Sequence, residues 1–186
     1  MIQLVIQRLD VRRLAADGTE LSGELAQAAL ARLAASVLPP LADEPAAAVH
    51  WQLRGESRAV AGAAKQIRLH LRASTTVALS CQRCLHRMAE RLEFDRSFLF
   101  VRDEDEAARL DEESDDDVLV LPRLLDGIEL IEDELILALP LVPRHDVCPQ
   151  PLENPAAAVG LSAEDAPARE NPFAVLAQLK KPAAGR

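Results

Sequence analysis

The stretch that decides the fold is "QIRLHLRASTTVALSC", residues 66–81. Ile67, Leu69, Leu71, Val77, Leu79 and Cys81 share one parity, and Arg68, His70, Arg72, Ser74 and Ser80 share the other. Side chains alternate across a strand, so the run predicts a long half-buried strand with one apolar and one basic face. Beyond it, "RLEFDRSFLFV" (91–101) sets Leu92, Phe94, Phe98 and Phe100 on a single parity. The two runs flank "CQRC" at 81–84, which predicts an antiparallel pair with the C-x-x-C at or near its connection. Upstream, Val49, Trp51 and Leu53 alternate with His50, Gln52 and Arg54 and predict another half-buried strand.

Helices are expected on either side of these strands. "SGELAQAALARLAASVLPP" offers Ser22 as an N-cap, repeats Leu25, Ala29, Leu33 and Val37 at helical spacing and stops at Pro39-Pro40, predicting a helix over 22–37. From 125 to 139, Ile128, Ile131, Leu135 and Ala138 form an apolar stripe before Pro140. Glu129, Glu132, Asp133 and Glu134 lie off that stripe and are expected on a solvated face. "DVLVLP" (117–122) reads as a further strand. The expected architecture is α+β: a mainly antiparallel sheet covered by two helices over residues 1–148. An acidic mobile loop is expected at 102–117, a Pro- and Ala-rich linker at 149–170 and a short amphipathic helix at 171–181. In that last helix Asn171 can cap, Pro172 suits the first turn, and Phe173, Leu176 and Leu179 make a small stripe for docking on a partner.

With 186 residues, the chain can build one full core with appendages. Three cysteines are too few for a disulfide framework, and "MIQLVIQRLDVRR" lacks the pattern of an export signal. A reduced, cytoplasmic protein without a membrane span is therefore expected. The net charge of −9 conceals a strong polarity along the chain. Between His50 and Arg91 the charges are mostly basic, and between Arg102 and Glu134 mostly acidic. Arg54, Arg68, His70, Arg72, Arg83, Arg87 and Arg91 are candidates for contact with a phosphate backbone. The other reading of the same residues is a solvated face packed against the acidic segment of its own chain.

Each cysteine falls in one of two short stretches, "CQRC" and "RHDVC" (144–148). If these meet, Cys81, Cys84, His145 and Cys148 form a C-x-x-C plus H-x-x-C set, a candidate quartet for a tetrahedral zinc ion. A redox pair would open a helix after a strand. This C-x-x-C lies between strands, which favours a metal; ordinary chain is the remaining alternative. No P-loop, G-x-S-x-G or G-x-G-x-x-G is present, and nothing calls for an enzyme.

Taken in order, "CQRCLHRM", "IEDELILALPLVPRHDVC" and "NPFAVLAQLKK" resemble the YceD family, the large ribosomal RNA subunit accumulation proteins of bacteria and plastids. The likeness runs from about residue 60 to 181. It implies a non-enzymatic role in accumulation or processing of 23S ribosomal RNA, hence in large-subunit biogenesis. It also implies a partner in that RNA or its precursor, directly or through a pre-ribosomal particle. The family's C-x-x-C falls on Cys81 and Cys84 and its H-D segment on His145 and Asp146. Some relatives of this kind carry further cysteines after the acidic helix; here Cys148 stands alone, leaving His145 to complete a quartet. A different class of function is a protein-interaction module whose acidic segment, 103–117, binds a basic ribosomal protein.

Overall fold

The expected strand parity is realised in a five-stranded sheet of order β1-β2-β3-β4-β5, seen in a computed structural model. The structure describes residues 6–43, 45, 47–59, 65–112, 114 and 116–149. The chain divides into Met1–Val147 and Cys148–Arg186, and of the second unit only Cys148 and Pro149 are described. The helix expected at 171–181, with Phe173, Leu176 and Leu179, thus lies outside the described residues, as does the linker beyond Pro149.

β3 (Gln66–Ser80) and β4 (Arg87–Val101) are antiparallel from Ile67 opposite Phe100 to Ser80 opposite Arg87. β2 (Ala48–Arg58) pairs with the other edge of β3, placing Leu53 opposite Leu71 and Trp51 opposite Ala73. Val49, Trp51, Leu53, Leu69, Leu71, Val77, Leu79, Leu92, Phe98 and Phe100 are all buried. Each buried aliphatic or aromatic side chain contributes about 1.5–3 kcal/mol of transfer free energy, so this inner face dominates the stability of the sheet. A slip by one residue would exchange it for Arg68, His70 and Arg72, which fixes the register.

The helix expected over 22–37 is corrected by the structure. Glu20–Ala26 is strand β1, antiparallel to β2, with Gly23 opposite Trp51 and Leu25 opposite Val49. The stretch carries both periods: Leu25, Ala29 and Leu33 suit a helix, whereas Leu21, Gly23 and Leu25 alternate. Glycine costs a helix interior about 1 kcal/mol, and the edge of β2 provides hydrogen-bond partners and a neighbour for Leu25. Strand pairing wins, and the helical part shrinks to a 3-10 turn at Gln27–Ala29 and α2 (Ala31–Ser36). Ahead of β1, the sequence also forms α1 (Val11–Asp17), with Asp10 accepting from the Arg13 amide at 3.1 Å and Gly18 closing the helix at φ 61°. α1 lies so close to β2 that a Cβ at Gly55 would stand 2.5 Å from the Leu14 carbonyl carbon.

The acidic segment is not the loop expected. α3 (Glu104–Asp111) follows β4 and leads to β5 (Asp117–Val120), which pairs parallel to β4. Parallel neighbours need a crossover, usually a helix, and this run is suited to one. Asp103 caps it through the Glu106 amide at 2.9 Å, and Glu104, Asp105 and Glu106 occupy the first turn, where the helix dipole favours negative charge.

α4 (Gly127–Leu137) falls within the expected 125–139, capped by Asp126 through the amides of Ile128 and Glu129. Its acids depart from expectation, because Glu132 and Glu134 are buried rather than solvated. α2 has no side-chain cap of its own. Glu132 supplies one from across the molecule, accepting from the Arg32 and Leu33 amides at 2.6 and 3.1 Å and from Arg32 Nε at 2.9 Å. Glu134 faces Arg96 Nε at 3.5 Å, the single arginine that β4 turns toward the inner face, opposite Leu71. Amphipathicity counts both carboxylates as solvent-facing because it cannot see these partners.

Burial pushes the Glu132 carboxyl up, but the Leu33 and Arg32 hydrogen bonds outweigh it and hold it below the usual carboxylate range. Its stabilising effect is therefore present above that range and lost as pH falls through the depressed folded value. Glu134 is raised, chiefly by burial, with Arg96 opposing. Its effect has the opposite sign, so folding weakens as pH rises from the ordinary carboxylate value through the raised one. Glu132→Gln should lower unfolding free energy by about 2 kcal/mol in urea melts at neutral pH, the scale of charge-assisted hydrogen bonds. Glu134→Gln should leave it unchanged or higher; a loss equal to that of Glu132→Gln would contradict this assignment.

Candidate metal centre

β3 ends at Ser80, and the next residues form a tight connection held by the Cys81 amide on the His86 carbonyl at 3.0 Å and the Leu85 amide on the Cys81 carbonyl at 2.8 Å. Cys81 keeps the inward parity of β3 and is fully buried. Leu85 closes the turn at φ 61°, a left-handed conformation that disfavours any residue with a Cβ, and it is 76% exposed.

The second half of the site arrives from α4. The chain passes Pro140 and runs beside the connection, where the Gln82 amide donates to the Pro143 carbonyl at 2.8 Å. An Arg83 guanidinium nitrogen donates to the His145 and Asp146 carbonyls at 3.0 and 3.3 Å. These bonds bring His145 to the cysteines: its amide lies 3.4 Å from Cys81 Sγ and its Nδ1 lies 3.4 Å from Cys84 Sγ. With Cys148, each residue offers one ligand atom, and the four atoms lie within 4.8 Å of one another. Ligands at 2.0–2.3 Å from a tetrahedral ion stand roughly 3.5 Å apart, so a small inward adjustment would close the set around zinc.

The surroundings suit thiolate rather than thiol. Burial pushes Cys81 up, but the amides of His145, Cys84 and Arg83, with the His145 ring, bring it down to about 5. Backbone N–H groups directed at sulfur stabilise the anion that a soft cation needs. Three sulfurs and one imidazole nitrogen are a donor set for a closed structural zinc site. Cys81, Cys84, His145 and Cys148 would hold the ion, which would tie the β3–β4 connection to the segment after α4.

The candidate RNA-binding residues fall into two groups. Arg54, Arg68, His70 and Arg72 share the outer sheet face with Arg91, but neighbouring strands bring carboxylates into register with them. Arg54 lies opposite Glu20, and Arg72 lies opposite Asp95 and donates to Gln52. Arg68 Nη1 is 2.6 Å from Asp116, His70 Nε2 is 3.0 Å from Glu56, and Arg91 Nε is 2.9 Å from Glu93. The hydrogen bond from His70 is the main reason the Glu56 carboxyl lies below its usual range. Read on β3 alone the face is basic; across the whole sheet it is mixed in sign. Arg83 and Arg87 form the second group, beside the cysteines, with Arg87 donating to the Pro39 carbonyl at 2.8 Å. Arg144, which the sequence reading missed, joins them in one groove.

This is an α+β domain whose sheet carries a cysteine-histidine cluster at the end of its longest strand pair. The family described as "Large ribosomal RNA subunit accumulation protein YceD" matches residues 69–180, more than half of the chain, and the chain belongs to it. A Haemophilus influenzae protein, named Large ribosomal RNA subunit accumulation protein YceD, is 37% identical over 105 residues. That match covers 56% of this chain and 60% of the relative, so under two thirds of the relative's length is represented. No solved structure matches the chain.

The purified protein should carry one zinc per chain by elemental analysis. Cys84→Ser should lose most of that metal and melt at a lower temperature, and a chelator should shift the wild-type melt the same way. Leu85→Gly should retain the metal and gain about 1 kcal/mol by relieving the left-handed strain. Metal-free wild-type protein that melts identically with and without added zinc would reject the site.

Proposed function

We propose that this chain supports accumulation of the 23S ribosomal RNA of the large subunit, as a ribosome-biogenesis factor and not an enzyme. The observation that carries the reading is the family match over 69–180. It spans most of β3, the C-x-x-C connection, β4, α4 and the His145–Cys148 segment, so the shared sequence is the sequence that builds the candidate metal centre. Zinc, in this reading, is a structural cofactor holding those segments in register, and the place of action is the cytoplasm, where ribosomes are assembled. No helix among the described residues is long and apolar enough to cross a membrane. The partner is 23S rRNA or its precursor, met directly or inside a pre-ribosomal particle.

A strain lacking the protein tests the reading. The ratio of 23S to 16S RNA should fall, and expression of the full chain should restore it. Cys81→Ser/Cys84→Ser should restore it poorly, because the connection loses its metal. An unchanged ratio in the deletion strain would reject the role. Recovery of a basic ribosomal protein, lost when 103–117 is deleted while the RNA ratio stays normal, would transfer the function to the acidic segment.

A further inference from the structure

We propose that the nucleic-acid backbone docks in the groove beside the cysteine-histidine cluster, with Arg144 and Arg87 as its principal contacts, and not on the outer sheet face. This inference rests on the ribosomal RNA reading above and assigns the surface that would serve it.

The groove holds about 840 Å³ and is lined by Arg83, Arg87, Arg144 and His145, with Glu90 and Asp146 as its carboxylates. It gathers three guanidiniums from two chain segments that are distant in sequence. The connection supplies Arg83 and the first residue of β4 is Arg87, while the segment after α4 supplies Arg144. The same contacts that assemble the metal ligands assemble the groove, because Arg83 is pinned on the carbonyls of His145 and Asp146. A guanidinium held in advance loses less freedom on meeting a phosphate, and its planar fork suits phosphate oxygens.

The outer sheet face and α3 suit such a ligand less well. On the outer sheet face, Arg54, Arg68, Arg72 and Arg91 stand among Glu20, Glu24, Glu56, Glu93, Asp95 and Asp116. Glu104, Asp105 and Asp111 are exposed on α3. With −9 overall, a polyanion is attracted only where positive charge is concentrated, and the acidic remainder orients the approach. The aliphatic side chains around this end, Leu85, Leu141, Val142 and Val147, are 55–101% exposed and suit sugar or base surfaces. They offer no aromatic ring for stacking, so recognition of backbone and shape is expected rather than of base sequence.

Ultraviolet crosslinking in cells, with the tagged full-length protein and sequencing of attached RNA, tests the assignment. Wild-type protein should yield 23S-derived reads. Arg87→Glu/Arg144→Glu should lower the yield at least about fivefold, the scale of a few lost phosphate contacts, while Arg54→Glu/Arg72→Glu stays close to wild type. Arg144→Gln, which removes one exposed charge without reversal, should give an intermediate loss, and zinc content and melting temperature should be unchanged for it. Equal yields from wild type and the Arg87/Arg144 variant would overturn the proposal, as would a greater loss from the sheet-face variant. Absence of RNA on wild-type protein would overturn direct docking, and the 23S-to-16S ratio in the deletion strain would still report independently whether the accumulation role stands.

Discussion

The structure depends on the register between β3 and β4. Ile67 opposite Phe100 at one end and Ser80 opposite Arg87 at the other define a ladder in which a shift by one residue would bury Arg68, His70 and Arg72. Burying unpaired guanidiniums costs far more than a shifted ladder could return. This single constraint sends Cys81 inward at the end of β3 and leaves Cys84 at the connection. The chemistry of the C-x-x-C is thus set by strand parity before any metal is considered.

The other half of the site depends on α4, whose Glu132 acts as an internal fastener. Glu132 caps α2 and so fastens the helix on one side, while Glu134 meets Arg96 on β4 without recovering the cost of its burial, and the chain beyond the helix delivers His145. A short helix such as α2, only six residues long, would fray on its own, since isolated turns gain too little to offset nucleation. The carboxylate from α4 makes α2 part of the domain. In the same way, the bonds from Gln82 and Arg83 onto the 143–146 segment align the two halves of the ligand set. The packing of this end of the domain, the candidate ligand cluster and the basic groove are consequences of one set of contacts.

Much of this was legible in the sequence where one periodicity was unopposed. The alternation in 66–81 and 91–101 and the helical stripe from Ile128 to Leu135 followed from spacing, whereas the meeting of the C-x-x-C with His145 stayed conditional until the chain after α4 was seen to return to the β3–β4 connection. Elements whose form depends on a distant partner were not legible. Residues 22–26 read as the start of a helix because the edge of β2 lies elsewhere in the sequence, and the acidic segment 102–117 read as a mobile loop because nothing local announces that the parallel pairing of β5 requires a crossover. Glu132 and Glu134 looked solvent-facing because their partners, Arg32 and Arg96, lie about 100 and 38 residues away in sequence. For the outer face the sequence left two readings open, phosphate contact or packing against the chain's own acidic segment, because β3 shows only its own charges, whereas a sheet face is the sum over neighbouring strands. Asp116, from the acidic segment, is the clearest case, since it reaches back to Arg68.

The central claim is that Cys81, Cys84, His145 and Cys148 form one metal centre that closes the domain. X-ray absorption at the zinc edge, on the full-length protein as purified, tests it most directly. The account predicts a first shell of about three sulfurs near 2.3 Å and one nitrogen near 2.0 Å. A shell of oxygen and nitrogen alone, or an absence of bound zinc, would contradict it.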